Sequence, residues 1–403
     1  MHRFRLTVRL APLVLALVLA QSVHADDDIS YRFSGFGTLG YVQTDTNDLN
    51  FTNPGQVKGA NKSGSFLVDS RAGGQLDVTF NSQWNTTVQA LVTQNAKGDF
   101  VPALEWAFVR YKVMDSLMVR LGRLGTPGYL VSDYRYVGYS NPWVRAPLEV
   151  YDLMPLDYLD GGDITWMHAL GSGTVSIQVI GGHASIDAPS PTQATGHVDV
   201  NQMYGGYLTY DIGDLHLRGG VSTTHLTYTS FDLTGLLGEL QYAGFDSVAS
   251  ALRADNKRST FTSFGATYDA HRILLMGEYG SSRSSSFLGR RKGWYGTFGY
   301  HFGSWMPYVT YAGTNKSSQS NTYAIPSYGP LLPLSNDVNS LVASAPQRTT
   351  SVGVRWDVHQ NIDIKAQFDH VEPNINGGDF TAVSPAYDGH SVNVYSVVAD
   401  FVF

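Results

Sequence analysis

The sequence predicts an all-β chain that forms a transmembrane antiparallel β-barrel of about sixteen strands. Three observations predict it. Apolar residues recur at every second position in many segments, as they do on one face of a β-strand. The connections between these segments alternate between short and long along the chain. The chain also ends on such a pattern, with apolar residues at Tyr395, Val397, Ala399, Phe401 and Phe403.

The first 25 residues are predicted to be a secretory signal peptide. MHRFRLTVR is basic, LAPLVLALVLA is a short apolar core, and small residues precede a cleavage site after Ala25. The alternative, a membrane-spanning helix, is disfavoured because the apolar run is too short to cross a bilayer easily. Residues 26–403 are then predicted to form a single barrel domain, since no linker interrupts them.

The composition excludes several classes of protein. Hydrophobic residues make up 43% of the chain, yet the mean hydropathy is −0.13, so apolar and polar residues are interleaved. The chain has no cysteine, which excludes disulfides and thiolate metal sites. Loss of the signal peptide, with its three arginines, would change the formal charge from −7 to −10, which argues against nucleic-acid binding. We expect neither a cofactor nor a bound metal.

The alternation places the strands along the whole chain. It predicts them at 29–43, 66–80, 83–95, 103–113, 116–123, 162–169, 173–183, 199–211, 214–229, 259–269, 271–282, 292–302, 304–315, 347–358, 361–371 and 390–403. Short connections are predicted near 81–83, 114–116, 169–173, 211–214, 269–271, 302–304 and 358–361. Long ones are predicted at 44–65, 96–102, 124–161, 184–198, 230–258, 283–291, 316–346 and 372–389. Outer-membrane barrels have this asymmetry, with short periplasmic turns and long extracellular loops.

The two faces of the predicted strands favour a barrel over a sandwich. In the strand at 347–358, Val352, Val354 and Trp356 share one side, and Arg355 and Asp357 share the other. Charged faces on this many strands are best accommodated around a water-filled lumen. Closure also pairs every strand edge, which lipid could not hydrogen-bond.

Several motifs resemble the Gram-negative porin superfamily of proteobacteria. They are LEWAFV, VRLGR, SDYRYVGYSNPWVRAPLEVY, SVGVRWDVHQNIDIKAQFDHV and the terminal YSVVADFVF. The resemblance covers nearly all of the chain after the signal peptide. It implies an outer-membrane porin, a water-filled channel for passive diffusion of ions and small hydrophilic solutes, assembled as a homotrimer. The terminal aromatic Phe403 resembles the signal that the barrel assembly machinery recognises.

The resemblance also implies that the third outer loop, at 124–161, folds inward and narrows the channel. The many proline and aromatic residues of this loop agree, because a solvated loop would not keep so much apolar surface. The candidate constriction residues carry opposite charges on the loop and on the early strands. The loop acids are Asp133, Glu149, Asp152 and Asp157, and the lumen bases are Arg32, Arg71, Arg110 and Arg120.

A basic wall opposite an acidic loop would give a strong field across a narrow pore. We expect Glu149 and Asp152 to face Arg71 and Arg120. Arg110 is the least regular member, because it shares its phase with aromatic residues, which suggests a shift in the pattern. The alternative is that each lumen arginine only neutralises a lumen aspartate.

A second basic group is predicted on an outer connection. Arg290, Arg291 and Lys292 follow one another there, and the phosphates of lipopolysaccharide are a plausible partner. A solvated run of charges is the alternative interpretation.

Other functions remain as rivals. A barrel hydrolase would need a Ser or Asp beside a His at the rim, but the twelve histidines are scattered and no catalytic motif surrounds them. A structural barrel with a filled lumen conflicts with the charged faces. A substrate-selective channel stays open, as do the ion preference, the solute and the oligomeric state.

Overall fold

A computed structural model describes residues 29–189, 195–316, 323–343 and 345–403. The predicted signal peptide, 1–25, lies outside the described residues. The strands, β1 to β16 in order, are Ser30–Thr44, Arg71–Thr79, Trp84–Gln94, Phe100–Met114, Leu117–Gly125, Tyr158–Leu170, Gly173–Ala188, Gly196–Ile212, Leu215–Thr229, Lys257–Ala270, Ile273–Ser284, Arg290–Tyr300, Trp305–Lys316, Gln347–His359, Ile362–Pro373 and Val392–Val402.

The strands form one closed antiparallel barrel in which each pairs with its neighbours along the chain. β1 closes the ring against β16, with Phe36 opposite Val402. The predicted barrel and its sixteen strands are therefore confirmed. The largest errors of position are five residues each: β7 was expected to end at residue 183 and continues to Ala188, and β2 was expected from residue 66 and begins at Arg71. There the carbonyl of Val68 accepts hydrogen bonds from the Asn53 and Gln56 side chains, so loop side chains replace a neighbouring strand.

The outward face of the wall is apolar and is the surface that the lipid would cover. Large hydrophobic side chains stand exposed on it, for example Phe33, Leu39, Leu121, Ile164 and Phe264. In a soluble protein such a continuous exposed surface would drive association, whereas a bilayer solvates it. Among the described residues, no helix has the length and apolarity needed to cross a membrane.

The terminal residue Phe403 takes part in closing the barrel. Its N–H donates to the Gly35 carbonyl at 3.0 Å, and its own carbonyl accepts from the Gly35 N–H at 2.9 Å. The ring is 64% exposed and covers Gly35, where an added Cβ would lie 2.3 Å from the Phe403 ring. Gly35 therefore leaves space for the terminal aromatic ring on the outward face. The assembly-signal role of Phe403 stays a prediction.

The short connections lie together at one end, which we call the turn end, and the long ones lie at the loop end. In an outer-membrane barrel the turn end faces the periplasm. In the described parts of the long connections there are four α-helices that the sequence analysis did not predict, α1 to α4: Leu148–Tyr151, Phe231–Tyr242, Asp246–Leu252 and Leu332–Leu341. Ser230 caps α2, because its hydroxyl accepts from the Leu233 N–H at 3.1 Å.

Candidate pore and constriction

The third loop, residues 126–157, folds into the barrel, and we call it the inward loop. Its aromatic side chains form the apolar core of the lumen together with the wall. Trp143 is 1% exposed, and its ring contacts that of Tyr295 edge-on, with 5.5 Å between the ring centroids. Its Nε1–H donates to the Thr297 hydroxyl at 2.9 Å. Tyr129 and Tyr151 stack at 4.5 Å. The prediction that this loop folds inward is confirmed.

Buried charges fix the middle of the inward loop to the wall. Arg145 Nη2 donates to Asp69 Oδ2 at 2.6 Å, and its Nη1 donates to Asp369 Oδ2 at 3.2 Å. Burial alone would raise the pKa of Asp69, but the Arg145 guanidinium outweighs it and holds that pKa below its usual value. Because Arg145 is buried between two carboxylates, its loss would leave them without their partner.

Two further cations bind residues 138–139 of the inward loop at the turn end. Lys365 Nζ donates to the Gly138 carbonyl at 2.7 Å and to Asp400 Oδ2 at 2.8 Å. Arg355 Nη1 donates to the Tyr139 carbonyl at 2.6 Å, and the Tyr139 hydroxyl donates to the Gln360 carbonyl. Since Gln360 belongs to the short turn between β14 and β15, the loop reaches nearly the full depth of the barrel.

Two large cavities lie inside the barrel among the described residues. The turn-end cavity has a volume of about 540 Å³ and lies against β1 to β5. Its lining includes Arg32, Arg110 and Arg120, with Asp77 as its one carboxylate within the described residues. Arg120 pairs with Asp163, whereas Arg32 and Arg110 are exposed and form no ion pair with any described residue.

The loop-end cavity has a volume of about 1030 Å³ and lies against β7 to β12, beneath α2 and α4. Its lining is mainly apolar and includes Leu153, Met154, Phe231, Phe261 and Phe287. The tip of the inward loop, residues 132–137, contacts the β3 and β4 wall around a third, much smaller cavity. The loop therefore separates a basic space at one end from an apolar space at the other.

The loop acids are distributed differently from the expectation. Asp133 is exposed on the tip and lies within electrostatic range of Arg120. Asp157 pairs with Arg135 and accepts from the Tyr136 hydroxyl at 2.7 Å. These contacts place Asp133 beside the basic wall, while Asp157 is engaged within its own loop.

The expectation that Glu149 and Asp152 face Arg71 and Arg120 is wrong. Glu149 is 3% exposed and accepts hydrogen bonds from Gln347 and Thr349 on the opposite wall. Burial raises the pKa of its carboxyl group. The reason is the short helix α1, which packs on β12 so closely that a Cβ on Gly293 would lie 1.8 Å from the Glu149 carbonyl.

Two basic residues also depart from the expectation. Arg71 lies above the turn-end cavity, within electrostatic range of Asp69 and Tyr136, and does not line that cavity. Arg291 points into the barrel, where its Nη2 donates to Asp152 at 2.7 Å and to Asp379 at 3.1 Å. Of the three bases predicted to meet lipopolysaccharide, Arg291 is thus excluded, because alternation on β12 sends it inward, while its neighbours on either side are exposed.

Sequence reasoning missed the residues that hold the loop in place. Arg355 and Lys365 lie on the polar face of their strands, but nothing in the sequence marked them as contacts of a loop more than 200 residues earlier in the chain. Glu278, which accepts from the Leu130 N–H at 3.0 Å, was missed as well. A charged residue on the lumen side of a strand was the available signal. In the described part of the chain, no cluster of His, Asp or Glu could hold a metal ion.

Comparisons with known proteins agree with this architecture. A family model described as Gram-negative porin matches residues 11–320, which is most of the chain. OmpF of Salmonella typhi, solved in complex with daunomycin, has a TM-score of 0.55 at 15% identity over 94% of this chain and 99% of that one. A comparison with curated protein sequences finds no match.

Two further solved structures have the same fold. The anion-selective porin of Comamonas acidovorans has a TM-score of 0.53 at 12% identity, over 93% of this chain and 100% of that one. The trimer form of OmpT of Vibrio cholerae has a TM-score of 0.53 at 12% identity, over 94% and 100%. At such identities these likenesses show the fold alone.

Proposed function

Because this chain belongs to the Gram-negative porin family and is an outer-membrane channel, we propose that it passes ions and small hydrophilic solutes with a preference for anions. The observation that carries the preference is the turn-end cavity. Arg32, Arg110 and Arg120 line it, and Asp77 is the only carboxylate among its described lining residues. Two of the three arginines have no carboxylate partner among the described residues, so their charge acts on the water-filled space.

A basic cavity concentrates anions because low-dielectric walls focus the field of the fixed charges. The field of Arg32 and Arg110 is least compensated, whereas Asp163 neutralises much of that of Arg120. The tip acid Asp133 lies within electrostatic range of Arg120 and adds a component of opposite sign to the field. Small polar solutes can align in such a field, whereas apolar solutes displace ordered water at a cost.

A planar-bilayer experiment tests this proposal. The purified channel would be reconstituted, and its conductance and reversal potential measured across a KCl gradient. We expect step-like conductance and a reversal potential on the chloride side of zero. The anion-to-cation permeability ratio should fall toward one at high salt, because salt screens the fixed charges. A reversal potential on the potassium side would contradict the anion preference, and an absence of conductance would contradict the open channel.

We also propose that the chain has no hydrolase activity, in contrast to a barrel enzyme. The described charged groups at the turn-end cavity include no histidine. His216 with Asp211 and His301 with Asp269 lie near the exposed short turns, and neither pair has a hydrogen-bonded serine hydroxyl in the described residues. At the loop end, His197 contacts Asp187 and Asp199, and its Nε2 lies 2.9 Å from the Ser185 hydroxyl. That hydroxyl donates to Asp199 at 2.9 Å, so its proton is not directed at His197 as it would be in a nucleophilic serine. Ester and peptide hydrolysis assays on purified protein would test this, with measurable turnover as the contrary result.

The partners follow from the family and stay proposals. We propose a homotrimer, which cross-linking or light scattering in detergent would detect. Deleting Phe403 should impair assembly into the outer membrane more than export. Arg290 and Lys292, which are exposed at the loop end, are the remaining candidates for lipopolysaccharide phosphates. Their replacement by glutamine should reduce lipopolysaccharide retained on purification.

A further inference from the structure

The loop-end cavity is a space that diffusion of small hydrophilic solutes does not explain. Its volume of about 1030 Å³ is at the upper end of the range for pockets that hold drug-sized ligands. A passage for ions and sugars would be expected to have polar walls. Here Leu153, Met154 and Phe261 form one side, and Phe231 and Phe287 form another.

The walls of this cavity come from the inward loop, the barrel, the β11–β12 connection and two helices. The inward loop supplies residues 152–156, and the barrel supplies the loop-end halves of β7 to β12. The α2 helix supplies Phe231, Leu233 and Leu236, α4 supplies Leu341, and the β11–β12 connection supplies Phe287. Phe231 is 76% exposed although it borders this apolar space. An apolar molecule in the cavity would remove that ring from water, with a gain that scales with the buried area.

The charged groups at the cavity select the sign of a ligand charge. Arg291 is the one cation among the described lining residues, and it is already bonded to Asp152 and Asp379. The exposed carboxylates Glu239 and Asp337 border the same space and form no ion pair with any described residue. An anionic ligand would meet net repulsion, whereas a cationic group would find these two acids and Asp232 of α2, which also lines the cavity.

We propose that the loop-end cavity binds amphiphilic cations, molecules with an apolar body and one positive charge. The apolar body lies among Leu153, Met154, Phe231 and Phe261, and the cationic group lies toward the carboxylates of α2 and α4. This site is distinct from the turn-end cavity, since the inward loop separates the two. The inference goes beyond the proposed diffusion function and does not depend on the ion preference.

A pair of glycines on α2 provides a matched test. A Cβ added to Gly235 or to Gly238 meets no atom within 4 Å, so both positions accept a Cβ without a collision. Gly235 lines the cavity, whereas Gly238, one helical turn away, does not. Gly235→Trp should fill the cavity, and Gly238→Trp is the control for the same substitution on the same helix.

Calorimetry in lipid nanodiscs would measure binding of 4-phenylbutylammonium, of 4-phenylbutyrate and of methylammonium. We expect the first to bind about tenfold more tightly than either of the others, because only it has both the apolar body and the attracted charge. Gly235→Trp should weaken it by a similar factor, and Gly238→Trp should leave it unchanged. The double variant Glu239→Gln/Asp337→Asn should reduce the cation-to-anion discrimination, with Asp246→Asn on α3 as a control.

Single-channel recordings give a second readout. Added on the loop side, 4-phenylbutylammonium should interrupt the ion current at lower concentration than when added on the turn side. Equal affinity for cation and anion, or equal weakening by both tryptophan variants, would overturn the proposal. Loss of conductance without any amphiphile would instead count against the channel function, and calorimetry would still report on the site.

Discussion

The turn-end and loop-end cavities differ in both chemistry and construction. The turn-end cavity lies against strands alone, β1 to β5, and its charge comes from arginines that alternate with lipid-facing residues. The loop-end cavity is closed by helices and loops, and its lining is mainly apolar. Strand alternation is a rule of sequence, so the first cavity was largely predictable. The second depends on how long connections fold over one another.

The comparison also shows why the overall charge of the chain is a poor guide to the pore. The formal charge is −7, yet the turn-end cavity is basic and the loop-end rim is acidic. A permeating ion responds to charges within about a Debye length of its path. The arrangement of a few lumen residues therefore determines the selectivity.

Removing the inward loop should merge the two cavities, which is the largest change we expect. Gly125 and Tyr158 face each other in the ladder between β5 and β6, so an Asn-Gly turn could replace residues 126–157. Conductance should rise on the order of threefold, because a sixteen-stranded barrel alone leaves an open lumen. Conductance would be measured in planar bilayers.

Folding of the shortened chain must be checked independently. Circular dichroism and heat-dependent gel mobility would show whether the barrel forms. A folded variant with the conductance of the parent would mean that the loop does not restrict the path. The distinction between two cavities would then have no consequence for permeation.

Replacing the free arginines of the turn-end cavity should change its selectivity alone. For Arg32→Gln/Arg110→Gln we expect a roughly fivefold fall in the anion-to-cation permeability ratio, equal to about 1 kcal/mol of lost attraction. Neither residue forms an ion pair with a described residue, so folding should be little affected. The reversal potential in a KCl gradient is the measurement. Arg272→Gln, at a short turn outside the cavity, should leave the reversal potential unchanged. An equal shift for Arg272→Gln would indicate a general effect of surface charge.

The sequence predicted the barrel well because alternation and loop length act locally. Strand alternation also predicted that Arg32, Arg110 and Arg120 face the lumen. The uncertainty about Arg110 is explained by a bulge in β3–β4 pairing, where Gln89 faces Trp106 and Ala90 faces Leu104, so that Glu105 is left over. One extra residue changes the phase of the strand.

The sequence could not place the charges of the inward loop. Glu149 lies five residues before Met154, yet it contacts β14 while Met154 lines the loop-end cavity. Such positions depend on tertiary contacts over more than 100 residues, and no periodicity encodes them. The same holds for Lys365, whose neighbours Gly138 and Asp400 come from a loop and from the last strand.

The stability of the fold should depend on pH through Asp379, which lies at the loop end between β15 and β16. Burial raises the pKa of Asp379 to about 7 from an ordinary 3.8, although Arg291 opposes the shift. The fold therefore favours the protonated form, and the stability that this group contributes is present below pH 4 and lost as the pH rises through 7. The other charges that face it are Asp152 and Glu149.

Thermal unfolding would test this effect. We expect the midpoint of the parent protein to fall by about 2 °C more between pH 5 and pH 8 than that of Asp379→Asn. Glu372→Gln, exposed near the end of β15 and in no ion pair with a described residue, serves as the control and should retain the slope of the parent. Identical slopes for the parent and Asp379→Asn would show that the carboxyl group is already ionised at pH 5.

The smallest effect is expected for Glu149→Gln, which separates the observed site from the one that the sequence suggested. Glu149 is 3% exposed and lies on the side of the inward loop that faces the wall, where Gln347 and Thr349 donate hydrogen bonds to it. Because burial raises the pKa of this carboxyl group, its charge is poorly tolerated there, and a neutral amide of the same shape should cost little. The reversal potential should stay within error of the parent value, whereas Asp133→Asn, on the exposed tip beside Arg120, should shift it toward anions. A shift for Glu149→Gln equal to that for Asp133→Asn would mean that Glu149 faces the ion path and that the loop is turned the other way.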